Sequence, residues 1–208
     1  IYKKDKLPTF TIKKKQDGIP KIIDVNIAKN DLGKGYLNKR TLLSVSSCGI
    51  CGKKELEDLY TDEKSLENKL SFSSDILFTM LDEFHDHQKV FKKTGGSHAA
   101  GIFNQEYEFL TLREDIGRHN AVDKCVGHLL QVKNLKSGKY LIVSGRISYE
   151  IISKAFIAKI PVIIAVSACS SMAVDYAKEF GICLIGFTRD NHMTIYSNPT
   201  FLKTKSLK

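Results

Sequence analysis

The second half of the chain alternates short apolar runs with segments whose apolar residues recur at helical spacing. The runs KYLIVSG, IPVIIAVS and ICLIGFT are typical of buried strands, and residues 148–159 and 170–181 have helical patterns between them. The clearest helix, residues 120–132, places its apolar residues at i, i+3, i+4, i+7 and i+8: Val122, Cys125, Val126, Leu129 and Leu130. Apolar strands that alternate with helices predict an α/β fold with a mostly parallel sheet between helices.

Weaker patterns predict the remaining elements. Residues 75–90 have an apolar face typical of a helix, and residues 106–112 and 193–197 are strand-like. His98 follows a glycine pair and precedes a segment that we expect to be helical.

Three segments follow from these patterns. Residues 1–45 contain strand-like pieces and an Asp17-Gly18 turn signal, which predicts a small β-rich N-terminal piece. Residues 46–73 hold a Cys-x-x-Cys loop and a polar connection, and residues 74–208 form the α/β domain. The chain begins at Ile1 rather than methionine, so we expect the N-terminal piece to be truncated.

Three loops follow the carboxyl ends of the predicted strands, where sheets of this class bind ligands. They are residues 144–146, 167–171 and 187–192, and they include Arg146 and Arg189. Ser170 and Ser171 open a helix whose free N–H groups favour an anion. The loops predict a phosphate or nucleotide site; the alternative is ordinary loops with a helix cap.

Composition bears on three questions: the charge of possible partners, the redox compartment and the presence of a membrane span. The formal charge of +9 is compatible with a solvated surface or with attraction to polyanions. Five cysteines in 208 residues do not indicate a disulfide framework, which favours a reducing cytoplasm. No apolar run approaches the ~20 residues that cross a membrane.

The stretch SVSSCGICGK contains the most suggestive thiols, Cys48 and Cys51. Glycines permit an unusual loop, and the lysines behind it would stabilise a thiolate, which is the nucleophile. A structural zinc site needs four ligands, and no second cysteine pair is present. A reactive loop thiol is favoured over zinc, whereas Cys125, Cys169 and Cys183 lie in apolar patterns typical of core residues.

Residues 112–124, LREDIGRHNAVDK, concentrate charged groups at a helix entrance. They form either a solvated turn with ion pairs or a polar network that shapes a site. Arg118 and His119 belong to this stretch, and His98 is a further candidate member; either histidine could carry a proton.

Several long motifs occur in one order: SSCGICGK, TGGSHAAGIF, REDIGRHNAVDK, SGRISYEIISKA, PVIIAVSACSSMAVDYAKEFGICLIGF and IYSNP. Together they resemble the formate dehydrogenase accessory sulfurtransferase family, known as FdhD, from Ser44 to Pro199. The resemblance implies a homodimer with a cytidine-deaminase-like larger domain. No structural metal is expected, because the zinc ligand set is incomplete.

The resemblance also implies a function, that of a sulfurtransferase required for formate dehydrogenase activity. Such proteins take sulfur from a cysteine desulfurase as a persulfide. They pass it to the metal, molybdenum or tungsten, of bis-molybdopterin guanine dinucleotide, which is bound as a substrate. The expected partners are the desulfurase and formate dehydrogenase, with no nucleic acid and no membrane.

By motif, Cys48 would bear the persulfide and Cys51 would assist it. The family's guanine-contact segment maps to one stretch: Phe187, Thr188, Arg189, Asp190, Asn191 and His192. The predicted cofactor-binding set also includes three residues from the loops that follow the predicted strands: Arg146, Ser170 and Ser171.

Three other functions are weighed against sulfur transfer. Zinc nucleobase deaminases need His-x-Glu before Pro-Cys-x-x-Cys, but His98 is followed by Ala99 and Ala100, which breaks that set. A chaperone that binds the molybdenum cofactor without transferring sulfur would not need Cys48. Nonspecific nucleic-acid binding through the basic ends would show steep salt dependence.

Overall fold

The computed structural model describes residues 7–31, 65–66, 70–197 and 201–203. The chain divides into two compact units, Ile1–Leu43 and Ser44–Lys208. In the first unit, β1 (Thr9–Gln16) and β2 (Ile19–Asn26) pair antiparallel across the Asp17-Gly18 turn. Both turn residues have positive φ, 51° and 77°, the conformation of a two-residue hairpin turn. The predicted Asp17-Gly18 turn and the strands on either side of it are confirmed, whereas residues 32–45 of this predicted segment lie outside the described residues.

The second unit contains the α/β domain. Its strands in chain order are β3 (Phe72–Ser73), β4 (His98–Phe103), β5 (Phe109–Asp115), β6 (Tyr140–Val143), β7 (Val162–Ala165), β8 (Cys183–Arg189), β9 (His192–Ser197) and β10 (Leu202–Lys203). Its helices are α1 (Ser74–Asp86), α2 (Lys89–Thr94), α3 (Arg118–Gln131), α4 (Tyr149–Ile157) and α5 (Ser171–Glu179).

Six of these strands form one sheet in the order β5-β4-β6-β7-β8-β9. Within it, β6, β7 and β8 are parallel, whereas β4 pairs antiparallel with β5 and with β6, and β9 pairs antiparallel with β8. The prediction of a mostly parallel sheet therefore holds only for β6, β7 and β8, and the sheet as a whole is mixed. Short turns join β4 to β5 and β8 to β9, and such turns permit only antiparallel pairing.

Helices cover both faces of the sheet, as predicted. Apolar residues of α3, α4 and α5 pack with one set of strand side chains, including Ala100, Leu141 and Ile163. Leu77, Met80, Leu81 and Phe84 of α1 pack with the opposite set. All four residues of β6 are buried, as a strand covered on both faces requires.

Three local expectations are corrected. The segment after His98 is strand β4 rather than a helix, because it lies between two strands and packs closely against α1. A Cβ on Gly101 would lie 2.8 Å from Cδ2 of Phe84, so this strand position has no room for a side chain. The helix predicted over 75–90 ends at Asp86, and α3 begins at Arg118 rather than beyond Asn120.

In the part of the chain that the structure describes, no helix is long and apolar enough to cross a membrane.

Candidate functional site at the carboxyl edge of the sheet

The loops after β6, β7 and β8 lie side by side and are joined by backbone hydrogen bonds. The N–H of Ile147 donates to the carbonyl of Ala168 at 2.9 Å, and the N–H of Ser170 donates back to Ile147 at 3.0 Å. The N–H of Phe187 donates to the carbonyl of Ser167 at 3.1 Å. The three strand ends marked in the sequence thus form one continuous edge.

The other end of the sheet order contributes to the same edge. His98, the first residue of β4, pairs with Asp115, the last residue of β5. The N–H of Ser144, directly after β6, donates to the carbonyl of Ala99 at 3.0 Å. Because α3, α4 and α5 each follow a strand that ends here, three helix N-termini meet at this edge, which favours negative charge.

Three arginines add fixed positive charge. Nε of Arg118 donates to the carbonyl of Arg146 at 3.0 Å, which joins the start of α3 to the loop before α4. The side chains of Arg146 and Arg189 are exposed. One guanidinium group can donate two parallel hydrogen bonds to two oxygens of a phosphate, so this edge is suited to an anionic ligand.

Asp115 fixes the turn that leads into α3. Its carboxylate accepts hydrogen bonds from the N–H of Gly117 at 2.9 Å and from Nδ2 of Asn120 at 3.1 Å, and it pairs with Nζ of Lys124 at 2.5 Å. Burial alone would raise the pKa of Asp115, but these donors outweigh it and leave the pKa lowered. Asn120 thus stabilises this turn from the first turn of α3.

His98 and Arg118 meet above Gly145. A Cβ on Gly145 would lie 3.1 Å from Nδ1 of His98 and 3.2 Å from Cδ of Arg118, so both side chains need glycine there. Burial lowers the pKa of His98, and the charges of Arg118 and Arg146 lower it further. The ring is therefore neutral near pH 7.

His119, the third residue of the predicted polar network, has a different partner. Its Nε2 lies 3.1 Å from the hydroxyl of Ser148, the residue that precedes α4. Burial, followed by the charge of Arg118, lowers the pKa of His119. Ser148 is the N-cap residue of α4, but its hydroxyl makes no capping hydrogen bond.

The two predicted serines before and at the start of α5 differ in their contacts. The hydroxyl of Ser170 accepts a hydrogen bond from the N–H of Ala173 at 3.2 Å and so caps the helix. Ser171, the first helical residue, is exposed at the edge.

The tip of the β8–β9 hairpin carries the predicted guanine-contact segment. Asp190 and Asn191 have φ of 53° and 57°, and Nδ1 of His192 donates to the carbonyl of Asp190 at 2.6 Å. Phe187 has φ of 51°, a rare conformation for an aromatic residue, and is 39% exposed. Such strained positions are concentrated at functional sites.

Thr188 differs from its neighbours in this segment. It is buried, and its hydroxyl donates to the carbonyl of Ala165 at 2.8 Å. This bond ties the end of β8 to β7 and fixes the direction of the hairpin tip.

The five cysteines fall into two groups. Cys48 and Cys51 lie outside the described residues. Cys125, Cys169 and Cys183 carry free thiols, and burial raises the pKa of each to about 12. A thiol with such a pKa holds almost no thiolate at pH 7 and is a poor nucleophile.

Within residues 7–31, 65–66, 70–197 and 201–203, no group of three or more His, Cys, Asp or Glu side chains could hold a metal ion.

Comparison with known proteins decides the family. The model of the FdhD/NarQ family matches residues 1–203. The chain belongs to the FdhD/NarQ family. The resemblance found in the sequence motifs is confirmed.

Relatives named sulfur carrier protein FdhD match most of the chain. The protein of Sulfurisphaera tokodaii is 41% identical over 189 residues, 88% of this chain and 72% of the relative. The protein of Streptomyces avermitilis is 42% identical over 180 residues, 85% of this chain and 64% of the relative. The matched part thus spans about two thirds of the Streptomyces relative's length.

A solved structure shows the same fold. A candidate formate dehydrogenase accessory protein from Desulfotalea psychrophila aligns with a TM-score of 0.63 at 22% identity, covering 72% of this chain and 63% of that chain.

For this member of the FdhD/NarQ family, sequence patterns did not reveal the pairing of His98 with Ser144. Nδ1 of His98 lies 3.4 Å from the hydroxyl of Ser144, and the two residues are 46 positions apart. No local pattern reports such a contact. The only signal was that both residues lie at the predicted edge of one sheet.

Proposed function

We propose that this protein carries sulfur for the maturation of formate dehydrogenase, in the reducing cytoplasm. In this proposal a cysteine desulfurase donates persulfide sulfur to Cys48. The protein then passes that sulfur to the metal of bis-molybdopterin guanine dinucleotide, its bound substrate. The relatives' name, sulfur carrier protein, supports the first half of the proposal.

The observation that carries the proposal is the cationic edge of the sheet. Three helix N-termini lie along this edge. Arg118 and Arg146 are joined there by a hydrogen bond, and Arg189 ends β8 at the hairpin. The guanine dinucleotide tails of the substrate contain pyrophosphates, whose charge and geometry suit these donors. In the proposal the exposed residues of the hairpin tip, Phe187 and 189–192, contact the guanine base, and Ser170 and Ser171 lie beside the phosphates.

The chemistry begins with the thiolate of Cys48. It attacks the outer sulfur of the donor persulfide, forms a new S–S bond and releases the desulfurase thiolate. Cys51 then attacks the inner sulfur of Cys48, which forms a Cys48–Cys51 disulfide and releases hydrosulfide. The sulfur is reduced by two electrons while the two thiols are oxidised. Hydrosulfide would replace an oxygen ligand of the substrate's metal, which leaves as water after protonation, and a cellular dithiol reduces the Cys48–Cys51 disulfide to restore the pair.

The remaining cysteines support this assignment of roles. Cys125 donates its S–H to the carbonyl of Ala100 at 2.9 Å, and Cys183 is fully buried. Cys169 is half-buried, with a pKa of about 12. Because the pKa of each thiol is raised far above neutrality, none is suited to attack a persulfide at pH 7.

Mass spectrometry tests the sulfur step. The protein is incubated with a cysteine desulfurase and cysteine, then digested without reductant. We expect one added sulfur on the peptide that holds Cys48 and Cys51, its loss in Cys48→Ala and its retention in Cys169→Ser. A wild-type protein that gains no sulfur, or gains it on Cys169, contradicts the proposal.

A cofactor chaperone without sulfur transfer makes a different prediction. In the proposal, Cys48→Ala retains guanine nucleotide binding but leaves formate dehydrogenase inactive. A chaperone would retain both. Measuring nucleotide affinity and formate dehydrogenase activity for this variant separates the two functions. Homodimer formation and a cytidine-deaminase-like arrangement of the larger domain stay predictions.

A further inference from the structure

His98 is held in one orientation by the loop after β6. Its ring lies against Gly145, where a Cβ would be 3.1 Å from Nδ1 and 3.2 Å from Cε1. Its backbone pairs with Asp115, and the next residue, Ala99, donates its N–H to the hydroxyl of Ser144 at 2.9 Å. The backbone at His98 is therefore fixed by strand pairing, and its ring lies against the loop after β6.

The hydroxyl of Ser144 influences which ring nitrogen of His98 carries the proton. One lone pair of its oxygen already accepts the Ala99 N–H, and the oxygen lies 3.4 Å from Nδ1 of His98. A hydroxyl carries one hydrogen that rotates to an acceptor. When that hydrogen points to Nδ1, the proton of a neutral imidazole must reside on Nε2.

Two charged side chains on neighbouring elements favour the neutral ring. Arg118 at the start of α3 and Arg146 in the loop before α4 both act on His98 and lower its pKa, after burial. Asp115 of β5, the residue paired with His98, carries a carboxylate, but its oxygens accept hydrogen bonds from Gly117, Asn120 and Lys124. A neutral ring within the field of these two positive charges is a hydrogen-bond donor that adds no further repulsion.

We propose that His98 binds the anionic part of the substrate by donating a hydrogen bond from Nε2 to a phosphate oxygen that Arg118 and Arg146 attract. The inference rests on the proposed docking of a guanine nucleotide at this edge. Its substance is a specific atom and tautomer: Nδ1 accepts from Ser144, and Nε2 donates to the ligand.

Two histidine replacements distinguish this tautomer. The amide nitrogen of glutamine occupies a position close to Nε2, whereas that of asparagine lies closer to Nδ1. GDP serves as the probe and is titrated into the full chain by calorimetry. We expect His98→Asn to raise the Kd of GDP about tenfold, the value of one hydrogen bond to a charged group. His98→Gln is expected to stay within about threefold of wild type.

The matched control is His85→Asn, which changes an exposed histidine of α1, the helix on the opposite sheet face from α3, α4 and α5. It is expected to leave GDP affinity unchanged. A thermal unfolding curve for each variant checks that a weaker affinity does not reflect misfolding.

Nitrogen-15 NMR gives a readout that a structural role would not alter. In two-bond proton–nitrogen spectra of histidine-labelled protein at pH 7, we expect the signal lost in His98→Gln to show a protonated Nε2 and an unprotonated Nδ1. GDP should shift that Nε2 resonance. A protonated Nδ1, a charged ring, or equal GDP affinity in His98→Asn and wild type overturns the inference.

The two proposals fail separately. If wild type binds GDP but the spectra or the affinity of His98→Asn give the contradicting results above, only the proposed role of His98 is overturned. If wild type does not bind GDP, both the docking of the nucleotide and this role of His98 are overturned. The formation of a persulfide on Cys48 is tested independently by mass spectrometry.

Discussion

Two hairpins of this chain have the same turn and opposite surroundings. The β1–β2 turn at Asp17-Gly18 and the β8–β9 turn at Asp190-Asn191 both place two residues at positive φ, the pattern of a type I′ turn. Yet β8 is buried along Cys183–Gly186, whereas β1–β2 pairs with no further strand among the described residues and exposes its apolar face. That face consists of residues 41–57% exposed: Phe10, Ile12, Ile23 and Val25.

The difference shows which property each level of structure controls. Local turn chemistry is sufficient to make a hairpin, and two consecutive positive-φ residues do so in both units. Neighbouring strands decide whether the hairpin is buried and whether its tip is fixed. The tip of β8–β9 is held at the edge of a six-stranded sheet, and for that reason it can present a binding surface.

The largest expected effect is that of a side chain at Gly186, where β8 leaves the parallel sheet. A Cβ there would lie 2.9 Å from Cε2 of Tyr196, 3.0 Å from Sγ of Cys169 and 3.2 Å from the carbonyl oxygen of Ser167. We expect Gly186→Ala to reduce the free energy of unfolding by about 2–3 kcal/mol, because the backbone carbonyl cannot move freely and the half-buried ring of Tyr196 must shift. Thermal unfolding measures this as a Tm lower by about 4–12 °C.

The control for Gly186→Ala is the same substitution in the other hairpin. At Gly18 a Cβ would meet no atom within 4 Å, and only the φ of 77° opposes it. Gly18→Ala should therefore cost about 1 kcal/mol, detected as faster amide exchange in β1–β2 while the main transition is unchanged. Equal losses in both variants would show that strand neighbours do not separate the two hairpins.

A smaller effect is expected for the buried hydroxyl of Thr188. The backbone pairing of β7 with β8 ends at Ile164 and Ile185. Beyond that point, the hydroxyl of Thr188 joins the two strands by its hydrogen bond to the carbonyl of Ala165. Thr188→Val removes it and leaves the carbonyl unpaired, which should cost about 1–2 kcal/mol of unfolding free energy and weaken GDP binding. Thr11→Val on the exposed β1 is the control, with an expected change within about 0.5 kcal/mol. A stable Thr188→Val with unchanged affinity would contradict this.

Much of the fold followed from the sequence, and the failures have a common cause. Helices α3, α4 and α5 and strands β6, β7 and β8 were predicted because apolar periodicity and apolar runs are local signals. The expectation of a mostly parallel sheet failed for the outer strands. Strand direction depends on which strands become neighbours, and local patterns do not report that. Nothing in HAAGIF reveals that it pairs between β5 and β6, since small residues suit a helix as well as a crowded strand.

The candidate site followed from the sequence to a similar extent. The three strand-end loops were placed together by a rule about sheet edges, and the structure joins them through Ile147 and Phe187. The contacts of His98 with Ser144 and of His119 with Ser148 were not predictable, because each joins residues of separate elements. The positions of Cys48 and Cys51 relative to this edge stay predictions.

The smallest expected effect comes from exchanging the turn residues of the two hairpins. Asn191→Gly gives β8–β9 the Asp-Gly turn of β1–β2, and Gly18→Asn gives β1–β2 the Asp-Asn turn. Because glycine tolerates positive φ best, Asn191→Gly should stabilise the protein by about 0.5 kcal/mol and Gly18→Asn should destabilise its hairpin by as much. Urea unfolding and amide exchange measure these changes.

The same exchange tests the contact of Asn191 with the ligand. If the side chain of Asn191 contacts the guanine, GDP affinity falls in Asn191→Gly although stability rises, and GDP affinity is unaffected in Gly18→Asn. Parallel changes in stability and affinity would instead assign Asn191 to the turn alone.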